Sequence, residues 1–194
     1  MVLLRPQCSV LVVSSSEQGA DLIYKLLDVT KYSPVTTLKN AGEARRRLIS
    51  SSFDIVIINA PLLDEFGHEL AMSTVDSSSG TVLIVKNQVF DEISNKMEKL
   101  GVLTLSKPLS ASLFRQSLSL IFASRERLKR AEKENIDLRA KIEEIRVVNR
   151  AKCVLIACLK MSEPEAHKYI EKQAMDTRMT KYKVAENILK TYED

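Results

Sequence analysis

All five glycines of the chain, Gly19, Gly42, Gly67, Gly80 and Gly101, lie in its first 101 residues, and after Pro108 only Pro164 interrupts the helical pattern. Glycine and proline are the strongest local breaks in regular structure. The N-terminal part is therefore punctuated by turns, and the C-terminal part is free to be almost wholly helical. Charge divides at the same place. Residues 1–120 carry 12 Lys and Arg against 12 Asp and Glu, whereas residues 121–194 carry 17 against 13, so the whole net charge of +4 belongs to the second part. Two modules are expected.

With 194 residues, 45% hydrophobic and 28% charged, the chain can bury a core and is not disordered by composition. No apolar run approaches the roughly 18 residues that span a bilayer, and the opening Met1-Val-Leu-Leu-Arg-Pro6 lacks the apolar stretch of a secretion signal. Cys8, Cys153 and Cys158 form no Cys-x-x-Cys pair. A disulfide scaffold and a zinc finger are not expected, and the cytoplasm is the expected compartment. With two histidines, no His–Glu cluster and no glycine-rich phosphate loop, neither an enzyme nor a metal or other cofactor is expected.

Four short apolar, β-branched runs read as strands covered on both faces: Ser9–Val13, Asp54–Ile58, Thr81–Val85 and Val102–Leu105, with Thr36–Leu38 a weaker fifth. Helical stripes lie between them. Ala20, Ile23, Leu26 and Leu27 follow a cap at Ser15 or Ser16; Ala41, Ala44, Leu48 and Ile49 form a second stripe, and Ile93, Met97 and Leu100 a third. This alternation predicts a flavodoxin-like α/β domain, a doubly wound parallel sheet of five strands.

Over about residues 7–122 the chain resembles the receiver domain of bacterial response regulators of two-component systems. The resemblance rests on Val10-Leu-Val-Val13 before a turn, on Asp54-Ile-Val-Ile-Ile-Asn59 running on to Gly67, and on Lys107-Pro108 after the last strand. In that family an acidic pair after the first strand holds Mg²⁺, an aspartate after the third accepts phosphate, and a hydroxyl residue and a lysine follow the fourth and fifth. Here Ser14 and Ser15 stand at the acidic pair, Asn59 at the phosphate acceptor and Lys86 at the hydroxyl, and only Lys107 is retained. An amide has no anionic oxygen with which to attack phosphorus, and hydroxyls supply no charge to offset the dehydration of Mg²⁺. A pseudo-receiver without phosphotransfer is therefore expected, controlled instead by a ligand or a regulatory protein docking on it. Asp64 reads as a solvated loop acid and His68 as a surface or helix-start residue.

From Phe114 onward a heptad repeat runs without breaks. It places Phe114, Ile121, Leu128, Asn135, Ile142 and Asn149 at a, and Ser117, Ser124, Ala131, Leu138 and Ile145 at d. Asparagine at a buried a position suits a parallel two-stranded coiled coil. Across such a pair Arg127 faces Glu132 and Glu134 faces Arg139, both attractive, whereas Lys141 facing Arg146 is repulsive. The serines at d favour packing of the early helix on its own receiver. Homodimerisation is expected through Leu128, Asn135, Leu138, Ile142 and Ile145.

The helical pattern continues to Lys160. Ser162, Pro164 and Glu165 then spell a capping box with a first-turn proline. A helix with Ala166, Tyr169, Ile170, Gln173 and Ala174 on one stripe follows, and Thr180 caps another with Val184, Ala185, Ile188, Leu189 and Tyr192 apolar. Over about residues 146–190 this tail resembles the ANTAR domain, the RNA-binding module of bacterial transcription antiterminators. The carriers are Arg150-Ala-Lys152 with Leu155, Ser162-x-x-Glu-Ala166 with Tyr169 and Ile170, and Ala174-Met175, Arg178, Val184-Ala185 and Ile188. Lys181 departs from the apolar residue often found there.

The resemblance implies a dimeric regulator that binds tandem stem-loops in mRNA leaders and lets the polymerase read past a terminator. The expected layout is a pseudo-receiver at 1–122, a coiled-coil helix at 123–148 and a small all-α three-helix RNA-binding domain at 149–194. Arg150, Lys152, Arg178, Lys181 and Lys183 are the candidate phosphate or base contacts, with Tyr182 a stacking platform. Cys153 and Cys158 read as small buried hydrophobes. Residues 151–194 are nearly neutral, 8 basic against 7 acidic, which keeps open an adaptor that contacts only proteins. A DNA-binding regulator would need a helix-turn-helix with a basic recognition helix, which the tail lacks.

Overall fold

The computed structural model describes residues 8–75 and 77–192. The opening stretch on which the expected absence of a secretion signal rests lies outside them. Two compact units form, Met1–Leu128 and Lys129–Asp194.

The first unit is built on five parallel strands: β1 (Cys8–Ser14), β2 (Tyr32–Leu38), β3 (Ile55–Asn59), β4 (Gly80–Lys86) and β5 (Leu103–Lys107), in the order β2-β1-β3-β4-β5. All five predicted runs are strands, and the weak one, Thr36–Leu38, is the end of a full-length β2. Strand residues alternate between two covered faces, as a period of two requires. Leu11, Val13, Val56, Ile58, Leu83 and Val85 pack against α2 (Ala41–Ser50), α3 (His68–Ser73) and α4 (Phe90–Glu98). Val10, Val12, Ile55, Ile57, Val82 and Ile84 pack against α1 (Glu17–Leu26) and the start of α5 (Ala111–Leu159). Fully burying one such side chain is worth about 1.5–3 kcal/mol, so this two-sided filling is what holds the sheet.

The helix signals act as read, with exceptions. Ser16 caps α1, accepting from the Gly19 amide at 3.1 Å. Ile49 leaves the expected stripe: it is 88% exposed near the end of α2, where the helix has turned it off the sheet. Leu100 is likewise exposed, beyond the last turn of α4. His68 is the first residue of α3, a six-residue helix too short to leave a periodic signal.

Phe114 and Leu118 of α5 are fully buried against the sheet, and Ser117 is buried beside them. The early heptad positions thus complete this unit's core. The approach is close: at Gly80 a methyl group would collide with the Ile121 side chain.

The second unit has its own small core. Ala151 and Leu155 of α5, Ala166, Ile170 and Ala174 of α6 (Glu163–Thr177), and Val184, Ala185 and Ile188 of α7 (Lys181–Tyr192) are buried together. The capping box forms, with Ser162 N donating to Glu165 Oε2 at 2.8 Å. Thr180 caps α7 by accepting from the Lys183 amide at 3.2 Å. Cys153 and Cys158 correct the expectation: both are exposed, because Ala151 and Leu155 occupy the inward face of α5 and these cysteines fall off it.

Candidate functional site

The carboxyl ends of β1 and β3 lie where the strand order reverses, the crevice in which open α/β sheets hold ligands. Ser14 and Asn59 end those strands in register. Asn59 Nδ2 donates to Ser14 Oγ at 2.9 Å, and the buried Ser14 hydroxyl donates onward to the Ser16 carbonyl at 3.0 Å. Ser15 Oγ donates to the Pro61 carbonyl at 2.9 Å. Gly19 of α1 sits so close that any side chain there would run into the Asn59 amide nitrogen. Lys107 Nζ donates to the Ala60 carbonyl at 2.7 Å. Burial, and then the charge of its strand partner Lys86, push the Lys107 ammonium below the ordinary lysine value.

The crevice therefore gathers Ser14, Ser15, Asn59 and Lys107. Its donor set is two hydroxyls and an amide already bonded to one another or to backbone carbonyls. Mg²⁺ prefers carboxylate and phosphate oxygens in a near-ideal octahedron, and these residues do not fit it. Among the described residues, no group of three His, Cys, Asp or Glu side chains is placed to hold a metal ion.

Asp64 is an exposed loop acid, as read, and its carboxylate is also engaged by backbone. Its Oδ1 accepts from the Ala41 amide at 2.8 Å and its Oδ2 from the Gly42 amide at 2.9 Å, at the N-terminus of α2. These two backbone bonds hold its carboxyl below the usual aspartate value. The pairing crosses more than twenty residues, so no local pattern announced it.

In the second unit the predicted contacts are well distributed but mostly engaged. Lys152 Nζ lies 2.7 Å from Glu163 Oε1, Lys181 Nζ 2.6 Å from Glu171 Oε1, and Lys183 Nζ 2.9 Å from Glu186 Oε2. Tyr182 is half-buried and hydrogen-bonded to Glu186, which raises its phenol above the ordinary value. Arg150 is exposed on α5. Arg178 closes α6 in the left-handed conformation, φ 55°, its amide bonded back to the helix. The Lys152 side chain is largely covered, 16% exposed, whereas the Lys181 and Lys183 pairs lie at the surface, where such a pair is worth only about 0–1 kcal/mol.

Residues 137–189 match the ANTAR domain family. The chain joins a receiver fold to an ANTAR domain. The match begins within the heptad segment of α5 and takes in α6 and nearly all of α7. The transcriptional regulatory protein PdtaR of Mycobacterium tuberculosis, in strains CDC 1551 and H37Rv, is 27% identical over 139 residues, 71% of this chain and 68% of PdtaR. The first unit shares its fold with the signal receiver domain of an HD-domain protein from Pseudomonas fluorescens Pf-5, at TM-score 0.57 and 19% identity, covering 67% of this chain and 97% of that one. It is also similar to the chemotaxis response regulator CheY4 of Vibrio cholerae, at TM-score 0.52 and 18% identity, over 59% of this chain and 98% of that one.

Two features of the ANTAR domain were not legible in its sequence. The glutamates that neutralise Lys152 and Lys181 lie eleven and ten residues away, on another helix. Tyr169, Gln173 and Tyr192, read as part of the apolar stripes, instead line an open groove between α6 and α7. No helix among the described residues is long and apolar enough to cross a membrane.

Proposed function

We propose that this protein is an RNA-binding transcription antiterminator of the cytoplasm, a regulator rather than an enzyme, that grips tandem stem-loops in mRNA leaders as a dimer. The ANTAR match over residues 137–189 carries the reading. The layout behind it is a pseudo-receiver at 1–122, a coiled-coil helix at 123–148 and the RNA-binding helices at 149–194. Leu128, Leu138, Ile142 and Ile145 are each more than half exposed along α5, and Asn135 is exposed among them. A second copy of the helix would cover this seam, with the asparagine fixing register. Two tails held by one coiled coil raise the effective concentration of the second for the second loop.

Phosphate and base contacts fall to Arg150, Lys152, Arg178, Lys181 and Lys183, with Tyr182 stacking. Since Asn59, Ser14 and Ser15 supply no carboxylate nucleophile and no anionic metal ligand, control passes to a ligand or protein that docks on the pseudo-receiver. The pairing of Lys152, Lys181 and Lys183 with glutamates favours the second reading, an adaptor whose helices contact only proteins.

Anisotropy titration of one-loop and two-loop RNAs at fixed salt decides between them. Leu138→Glu with Ile142→Glu should bring the two-loop affinity down toward the one-loop value. Lys152→Ala with Arg178→Ala should weaken both. A protein that binds neither RNA is an adaptor.

A further inference from the structure

The groove between α6 and α7 has the chemistry of a nucleobase pocket. It encloses about 260 Å³, below the roughly 300–1,000 Å³ typical of small-molecule sites, which suits one flat ring rather than a larger ligand. Its floor includes the buried Val184 and Ile188, and Tyr169 and Tyr192 stand exposed along it. Gln173 and Asn187 also line it. Their side-chain amides make no hydrogen bond among the described residues, whereas the hydroxyls of the lining Thr177 and Thr191 are each bonded to a carbonyl of their own helix. Arg178 stands in the chain between the lining residues Thr177 and Met179.

Aromatic faces together with free amides are what an unpaired base requires: a surface to stack on, and groups that both donate to and accept from its edge. A protein docking there would have to bring polar partners for the two open amides or leave them unsatisfied. A phosphate would ask for cations, and the lining residues include none. We propose that this groove receives one base splayed from an RNA loop, stacked on Tyr169 or Tyr192 and read at its edge by Gln173 and Asn187, with Arg178 meeting the adjoining phosphate. The inference rests on the RNA-binding reading and adds to it a base-reading site that differs from the paired lysines.

The test uses the full chain with hairpins selected on it from a pool of one fixed stem and randomised loops. The same stem closed as a blunt duplex measures phosphate attraction alone. Gln173→Ala and Asn187→Ala, both outside the buried core, should each weaken the selected hairpin about tenfold or more and leave the duplex unchanged. Tyr169→Ala or Tyr192→Ala, whichever tyrosine bears the stack, should do the same, and the Phe variant at that position should keep hairpin binding. If both amide variants remain folded and hold the hairpin as tightly as the parent, the groove is not a base pocket and RNA binding stands without it. If they instead change the oligomeric state and not the RNA affinity, a second copy occupies the groove and the proposal is overturned. If no hairpin is selected at all, the RNA-binding reading fails and takes this inference with it.

Discussion

Arg125 of α5 donates from Nη1 to Asp54 Oδ1 at 2.8 Å, just ahead of β3, while its Nε donates to the Ser78 carbonyl at 2.7 Å. The guanidinium side chain is 7% exposed and the carboxylate 24%. Asp54 Oδ2 in turn accepts from the amide and the hydroxyl of Ser9. One network thus ties α5 to the foot of the sheet. Removing one partner of a buried pair leaves the other uncompensated. Arg125→Ala should cost about 3 kcal/mol in urea unfolding of the receiver unit, and Asp54→Asn in the same background should cost much less than it does alone. Fully additive losses would show that the two side chains are not coupled.

No phosphoryl group should be taken up from acetyl phosphate with Mg²⁺, read as the intact mass of the protein. Asn59→Asp alone should stay inert, because Ser14 and Ser15 still offer no anionic metal ligand. A hydroxylamine-sensitive adduct on the parent protein would falsify the pseudo-receiver reading.

Asp64 should make the receiver unit's stability depend on acidity. Its carboxyl is more acidic folded than unfolded, through the bonds from Ala41 and Gly42. The contribution is therefore present above the ordinary aspartate range and lost as pH falls through the native value. Asp64→Asn should be less stable than the parent near neutral pH, with the gap narrowing below about pH 4. A gap independent of pH would mean that charge at this position plays no part.

Leu138→Glu with Ile142→Glu should halve the mass measured by sedimentation equilibrium while leaving the thermal unfolding of the receiver unit in place. Neither side chain belongs to that unit's core. A parent protein that is already monomeric at micromolar concentration removes the coiled coil from the account.

How much the sequence revealed depended on how local each cause was. Strands buried on both faces write continuous β-branched runs, so β1, β3 and β4 were legible to within a residue or so. The capping box at Ser162 and Glu165 is equally local. The helix end at Arg178 was harder: the residue adopts φ 55°, a conformation that glycine normally marks, and no glycine occurs there. What could not be read at all depended on how helices pack. Asp64 on the α2 terminus, Glu171 against Lys181, and the exposure of Tyr169 and Tyr192 are set by partners that spacing along the chain does not specify.

The three cysteines divide between the two units, and they divide by accessibility as well. Cys8 is buried at the start of β1, whereas Cys153 and Cys158 are exposed near the end of α5. A thiol reagent added to the native protein should therefore react in two stages. The fast stage labels the ANTAR helix without any engineered residue, giving a ready place for a fluorophore or spin probe. The slow stage waits for the sheet to open around Cys8, and its rate reads the opening free energy of the receiver unit while the rest of the chain stays native.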